Sequence, residues 1–498
     1  MPRSHRSTNC APKFAAAPDP KLNYEPAMSS TPQSVAVLGG GISGLTCALR
    51  LAQEGRRVTL IEGSAHLGGL GTFFEHDGRT FEKFYHCMLP SDGPLLRVLE
   101  ALGIRDEVYW KPTTFAYAHQ GRFFPLNTAL DLLKFAPLRF IDRIRVGITG
   151  LYGRLVSDKG LDNVTTVKWL TRLSGARAFA KFWQPMLEAK FGDRYHDVPA
   201  LWFWTRFNRE KGESKGECKG YIKGGYKHIT DTFASVLRAL GSEIRLNTTV
   251  QSIDLDADGR TTVKTAAGSE TFDQIVVTLP TPQVEQLIGP VLRREMPALD
   301  KTTDYQGVIN CLLFLKKPLT THYWVATPGN DHPFDGVVET STLTDTADRG
   351  QRHVIYLTKY LHRGDERFAA SDDCIRAYWI PALKQLFPQL QDDDIETSHI
   401  FRAPFVEPIY KRGQMQLRPP EELIKGKVYL ANTAQVYPVV TSWNGSVIQA
   451  ERTLATMGIG PSARPSGEST TISSRTAALK LARPRASATP LRPVVAKV

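Results

Sequence analysis

The chain has 498 residues, 42% of them hydrophobic and 22% charged, with 62 Lys and Arg against 50 Asp and Glu for a net charge of +12. That length holds about two or three domains, and no uncharged apolar run reaches the roughly 18 residues that a membrane-spanning helix needs. Cys10, Cys47, Cys87, Cys218, Cys311 and Cys374 are scattered, with no C-x-x-C and no metal-ligand spacing; this argues against a disulfide framework and a metal site and fits a reducing cytoplasm.

Most of the charge sits at the ends. Residues 461–498 carry +6 and residues 1–30 carry +2, and both segments are expected to be disordered. The basic tail has no aromatics interleaved with its Lys and Arg, so no nucleic-acid partner is expected. Residues 1–30 lack the apolar core of a secretory signal. Met28 precedes the first strand and is read as the natural start; Arg3 and Arg6 support a mitochondrial-type targeting segment as the alternative.

A buried strand is expected over 35–38, running into Gly39, Gly41 and Gly44 at G-x-G-x-x-G spacing. Leu45, Ala48, Leu49 and Ala52 then mark a helix that Gly55 ends. A second strand over 58–61 finishes on Glu62. Gly39 serves the tight turn, Gly41 a close backbone approach to a pyrophosphate, and Gly44 the packing of helix on strand. Free N–H groups at the helix start attract phosphate. A carboxylate at Glu62 accepts from ribose hydroxyls and repels the 2′-phosphate of NADP. The stretch therefore reads as a dinucleotide site, with Ile42 and Ser43 at the helix entrance.

Gly68 and Gly69 form a second glycine pair just after the acid. A hairpin over 72–84 turns at Asp77-Gly78 and delivers Phe84, Tyr85 and His86. A helix follows over 91–104. Residues 105–220 read as helical, with two amphipathic basic stretches over 130–135 and 140–155 that carry Lys134, Arg139, Arg143, Arg145 and Arg154. They are either a helical cap with its polar face in water or a surface resting on a membrane or lining an entrance for an apolar substrate. Trp169, Trp183, Trp202 and Trp204 are expected in the cap's core, and 211–220 is a solvated loop.

Gly224-Gly225 opens a helix over 228–240. Strands are expected over 243–246, 249–255, 261–265 and 272–279, the last buried on both faces. Residues 281–400 mix strands over 307–315 and 353–360 with a helix near 374–386, in a largely antiparallel piece. A short strand over 428–431 leads through Asn432-Thr433 to a helix that starts at Asn444-Gly445 and runs to 456.

These elements in this order resemble the FAD-dependent amine oxidase superfamily, which includes monoamine oxidases, protoporphyrinogen oxidases, carotenoid-type desaturases and, more distantly, UDP-galactopyranose mutases. The likeness covers roughly residues 34–460. It implies an α/β fold: a discontinuous Rossmann-type FAD-binding domain (31–104, 221–290 and 401–460) and a mixed-sheet substrate domain, made of a helical cap (105–220) and an antiparallel part (291–400). It implies FAD as cofactor, with Gly39, Gly41, Gly44 and Glu62 as phosphate turn and ribose acid, and Gly68 and Gly69 as the glycine pair. Val250 would contact adenine through its backbone. Asn432, Thr433, Gly445, Ser446 and Val447 would lie in the C-terminal flavin segment, where the helix N-terminus faces the flavin O2 edge. Two departures stand out. The family usually has Gly-Asp where this chain has Asn432-Thr433, and no residue matches the lysine that amine oxidases hold near flavin N5.

The expected activity is removal of hydride from a bulky, apolar or ring-containing small molecule by an FAD-dependent oxidoreductase, with His86 as proton exchanger and Tyr85 as a substrate-contacting phenol. Tyr437 is a further phenol of this kind, and Arg412 and Arg418 would meet an anionic substrate. No metal is expected. Two alternatives stay open: a non-redox nucleotide-sugar mutase, favoured by the likeness of the His86 segment to the mutases' histidine stretch, and a flavoprotein with a structural or partner role. The expected location is the cytoplasm, with peripheral membrane contact through 126–155 as an open addition; oligomeric state is not legible.

Overall fold

The computed structural model describes residues 33–209, 218–296, 299, 303–329 and 331–460. The expectations for 1–30 and 461–498, and for most of the 211–220 loop, lie outside the described residues; Cys218–Ile222 is a strand.

A six-stranded sheet runs in the order Glu422–Ile424, Val428–Leu430, Gln274–Val277, Ser34–Leu38, Arg57–Ile61 and Glu243–Arg245. The first strand is antiparallel and the rest are parallel. Its side chains alternate between two apolar layers, as period-2 geometry requires. Val35, Val37, Val58, Leu60 and Val276 meet the helices Ile42–Gln53, Gly225–Ala239 and Trp443–Thr456. Ala36, Leu38, Ile61, Ile275 and Val277 meet a three-stranded meander through Ile253, Val263 and Phe272. Strands covered on both faces read as unbroken apolar runs, which is why this half of the chain is legible.

A second sheet has seven strands, ordered Ile395–Ile409, Asp304–Leu315, His353–His362, Gly336–Glu339, Trp324–Ala326, Phe115–His119 and Arg122–Pro125. Ile309, Cys311, Leu313 and Leu315 face the helix Asp372–Leu386. Leu312 and Phe314 face the other way, into the core that the nucleotide-binding helices share. The two sheets are thereby welded into one body.

Residues 105–125 depart from the expectation of a purely helical cap. Val108–Pro112 pairs with Cys218–Ile222. Phe115–His119 and Arg122–Pro125 form a hairpin on the edge of the seven-stranded sheet, turning at Gln120 and Gly121 with φ of 49° and 70°. That pair of positive φ values is what a two-residue hairpin turn demands. The helix expected from 228 begins at Gly225, and the strand expected from 249 begins at Ser252.

The remainder of 126–209 is helical. Trp169, Trp183 and Trp202 are buried with Phe135 and Phe182, and Trp204 is half-buried with Nε1 donating to Val156 O at 3.0 Å. They are core, as read.

Phe314 is fully buried, its ring 4.5 Å from Phe81 and 6.4 Å from Phe74. Phe314→Ala is expected to lower unfolding stability by about 3–5 kcal/mol, read as a lowered urea midpoint at unchanged slope.

Candidate cofactor site and active site

The three fingerprint glycines have separable causes. Gly39 lies at φ +106°, and a Cβ there would fall 2.5 Å from Thr278 Oγ1. At Gly44 a Cβ would fall 1.9 Å from Gly39 O, so helix and strand end are in direct backbone contact. Gly41 differs. Its φ of −70° and ψ of 173° suit any residue, and a Cβ would meet only Gly69 Cα, at 3.8 Å. Packing within the protein does not call for glycine at 41; a dinucleotide running across it would.

Gly68, at φ +121°, lays the second glycine turn against the first. It bridges to Gly41, and its N–H donates to Gly40 O at 2.8 Å. Gly69 follows at φ +57°. Ile42 and Ser43 open the helix buried, and their N–H groups precede the first intrahelical bond, Leu45 N to Gly41 O.

Glu62 ends its strand as expected. Its Oε2 accepts from Gly40 N at 2.6 Å and its Oε1 from Ser64 N at 2.8 Å. Each oxygen keeps a lone pair for a ribose hydroxyl. Thr248 N donates to Glu62 O at 2.9 Å, which ties the stretch carrying Val250 to the ribose acid.

The C-terminal helix brings its own N-terminus to the same place. Ser442 caps it by accepting from Gly445 N at 3.1 Å. Ser43 Oγ donates to Ser446 O at 3.3 Å, so two helix starts lie side by side. Gly445, Ser446 and Val447 are buried. Two positive helix ends and a glycine cradle supply the N–H donors, and the Glu62 carboxylate the acceptor, that a dinucleotide would need. Asn432 does something else. Its Oδ1 accepts from Ala434 N at 3.1 Å and its Nδ2 donates to Leu279 O at 2.8 Å, so its side chain caps its own turn and ties that turn to the segment after Gln274–Val277. Thr433 bonds the Tyr305 hydroxyl.

The hairpin Phe73–His76 and Arg79–Glu82 leads into Phe84, Tyr85 and His86 as expected. His86 Nδ1 lies 2.8 Å from Phe84 O. A carbonyl only accepts, so Nδ1 carries the proton and Nε2 the lone pair. Burial pushes the imidazole below its usual pKa, against the opposing pull of that bond and of Glu82; at neutral pH it is uncharged. Its ring is 4.9 Å from Tyr226 and 6.2 Å from Trp443. Tyr85 OH lies 2.7 Å from Tyr360 OH, and its ring is 5.2 Å from Trp324.

Three groups went unread in the sequence. Trp443 packs its indole across Gly71, where a Cβ would fall 2.3 Å from Cζ2. Glu82, Tyr221 and Arg349 form a buried cluster lining one crevice with His86 and Tyr85. Arg349 Nη2 donates to Glu82 Oε2 at 3.1 Å and to Tyr221 OH at 2.6 Å, Tyr221 OH donates to Glu82 Oε1, and Tyr226 N reaches Glu82 Oε1 at 3.2 Å. Finally, Lys190 Nζ pairs with buried Glu407 at 2.5 Å and lies 4.0 Å over the Tyr360 ring. The sequence-named residues elsewhere are not gathered here. Arg412 pairs with Asp197 at 3.0 Å, Arg418 with Glu421 at 3.2 Å, and Tyr437 OH donates to Asp162 at 2.6 Å.

The sequence profile of the flavin containing amine oxidoreductases matches residues 42–453. The chain belongs to that family. It is an FAD-dependent oxidoreductase, and the fitted glycine cradle, helix starts and Glu62 are the groups that would hold the dinucleotide.

Among relatives, 15-cis-phytoene desaturase of Synechococcus elongatus is 22% identical over 84% of this chain and 94% of its own length. Zeta-carotene desaturase of Solanum lycopersicum is 27% identical over 210 residues, so the chain spans about a third, 35%, of that relative. Among solved structures, a provisionally assigned protoporphyrinogen oxidase of Exiguobacterium sp. matches with TM-score 0.69 at 18% identity, covering 86% of this chain and 99% of that one. Reduced UDP-galactopyranose mutase matches at 0.68 and 16%, over 86% and 96%. These structural likenesses establish the shared fold.

Two substitutions separate ligand from scaffold. Gly41→Ala is expected to leave the apoprotein's melting within about 0.5 kcal/mol of wild type while FAD content of the purified protein falls at least about tenfold; Gly44→Ala is expected to lose both. Equal FAD retention by Gly41→Ala would remove the pyrophosphate from that turn. Arg349→Met strands the Glu82 carboxylate and is expected to cost about 3–5 kcal/mol, measured by chemical denaturation at pH 7.

Proposed function

We propose that the substrate is a bulky, apolar or ring-containing small molecule that the enzyme oxidises beside His86, where the hairpin, the seven-stranded sheet and the C-terminal helix meet. The observation that carries this reading is His86 with Nδ1 bound to Phe84 O, which leaves the lone pair on Nε2, set among Tyr226, Tyr356 and Trp443. FAD, when bound, supplies the two-electron acceptor. The chain's own part is to hold the substrate against aromatic surfaces, keep water out, and accept a proton at His86 Nε2. Nδ1–H anchored on Phe84 O fixes that tautomer. Tyr226, fully buried, and Trp443 wall off one side of the ring.

The mutase alternative needs arginines available to a diphosphate. Arg412 and Arg418 are paired with the chain's own carboxylates, and Arg349 is locked to Glu82. These pairings favour the redox reading. Tyr85, its hydroxyl paired with that of Tyr360, is the phenol we assign to contact the substrate.

The test is anaerobic mixing of the FAD-loaded protein with protoporphyrinogen or phytoene, and separately with the small polar diamine putrescine, followed by the bleaching of the flavin's visible band. Reduction by either of the first two supports the reading, and reoxidation within seconds of admitting air marks an oxidase. Reduction by putrescine alone would overturn it, as would failure of all three with conversion of UDP-galactopyranose by the reduced protein, which favours the mutase. With a reducing substrate in hand, the reduction rate is expected to be flat through neutral pH and to fall on the acid side below about 6.5, the ordinary imidazole value. His86→Asn is expected to slow it about 100-fold or more and to erase that acid limb; an unchanged limb would assign the proton to another group.

A further inference from the structure

The helix Phe140–Leu155 is mounted with its polarity reversed. Its buried positions are Asp142, Val146, Thr149 and Gly153, mostly small or polar. Its large apolar residues face outward: Phe140 is 64% exposed, Ile148 59%, Leu151 60% and Leu155 77%. Ile141, Ile148, Leu151 and Leu155 recur at the three- and four-residue spacing of a single helical stripe, and Leu130 and Leu133 of the preceding helix Ala129–Lys134 extend the exposed set. A surface helix in an ordinary globular domain turns such a stripe inward. Here the inward face is held by specific contacts. Arg177 binds the Asp142 carboxylate through Nε at 2.7 Å and Nη2 at 3.0 Å. Gly153 lies against Phe207, whose ring a Cβ would meet at 2.4 Å.

The two helices are also tied to each other. Arg143 Nε donates to Leu138 O at 2.8 Å and its Nη1 to Leu133 O at 2.6 Å, bridging the turn between them. The two helices expose cations and no acid, although Arg139 and Arg145 also lie near enough to the Asp142 carboxylate to help lower its pKa. Lys134, Arg139, Arg145 and Arg154 are exposed. The long helix's sole acid, Asp142, is buried, and Asp131 is used in the capping box of the short helix.

We propose that this helix pair is an interfacial docking surface for a bilayer containing anionic lipids, the stripe lying among the acyl-chain ends of the headgroup layer and the cations among phosphates. An exposed apolar stripe flanked by basic residues is the composition that binds in the plane of such an interface. Charge complementarity selects a membrane over a second copy of the chain: a two-fold contact sets the same basic patch against itself, with no exposed acid on these helices to pair its cations. No helix among the described residues is long and apolar enough to cross a membrane, so the contact is peripheral. The proposal does not rest on the identity of the substrate.

The experiment is co-sedimentation of the full FAD-loaded chain with vesicles of phosphatidylcholine alone and of phosphatidylcholine mixed with phosphatidylserine, alongside its mass in solution by light scattering. Binding to the mixed vesicles is expected, weaker to phosphatidylcholine alone. Ile148→Glu with Leu155→Glu is expected to lower the partition at least about tenfold, and Arg145→Gln with Arg154→Gln by about fivefold per cation on the anionic vesicles only. All variants should retain wild-type FAD content, since these side chains face away from the nucleotide site. Tyr378→Ser, at an exposed aromatic on the helix Asp372–Leu386, should bind as wild type. Absence of vesicle binding, binding indifferent to both pairs of substitutions, or a stable dimer that Ile148→Glu with Leu155→Glu dissociates would each overturn the proposal.

Discussion

One buried carboxylate holds the active-site side of the molecule together. Glu82 ends the hairpin and receives donors from Tyr221, from Tyr226 N at the start of the helix Gly225–Ala239, and from Arg349, 267 residues downstream. Its own carbonyl accepts from Tyr356 on the seven-stranded sheet at 2.7 Å. Gly225 is glycine because a Cβ there would come 2.4 Å from Glu82 Oε1. Burial alone would raise the carboxyl's pKa; the guanidinium of Arg349 and the hydroxyl and amide donors outweigh it, and the group is held below its usual range. An ion pair so deep is costly to assemble and costlier to break by removing one member. Its local consequence is at His86, four residues on. The Glu82 charge pulls that imidazole toward protonation, but burial outweighs the pull and holds the ring's pKa below its usual value.

The legible part of the fold was the part whose causes are local. The Ser34–Leu38 strand, its glycines, the following helix and Glu62 interact within about thirty residues, and each residue type states its own reason. The hairpin to His86 was legible because Asp77-Gly78 marks its turn. Residues 105–125 were not, because the 115–125 hairpin is a sheet edge whose pairing partner, Trp324–Ala326, lies some two hundred residues away. Arg349 was invisible for the same reason. Nothing near it in sequence distinguishes a buried arginine from a surface one, and its partner is on another element. Asn432 was read only through the likeness to a family segment; that its Oδ1 caps its own turn and its Nδ2 ties that turn to Leu279, 153 residues away in sequence, is set by tertiary structure that no local pattern announces.

Helical periodicity was read correctly over 140–155, but the period of a pattern carries no sign. It states that one face is apolar; it does not state which face the protein keeps. The sign was set by Asp142, Thr149 and Gly153, residues that an inward-facing stripe would not place at helical spacing. A buried acid with a bidentate arginine and a glycine seated on an aromatic ring fix the rotation of the helix, and the apolar stripe is left outside as a consequence. The expectation of a cap with its polar face in water therefore gives way to the opposite mounting.

The same logic of asking what each small residue is for separates binding from folding at the nucleotide turn. Gly39 is explained by its positive φ and by Thr278, Gly44 by the backbone oxygen of Gly39, and Gly445 by Val440 O at 2.7 Å. Remove those and the protein's own packing suffers. Gly41 has neither unusual dihedrals nor a crowding neighbour, and it lies between the second glycine turn and the first free N–H groups of a helix. A glycine with room for a Cβ, set at a positive helix end, is the residue whose cause we propose lies outside the polypeptide. On that proposal the dinucleotide would run across the one glycine of the fingerprint that the fold can do without.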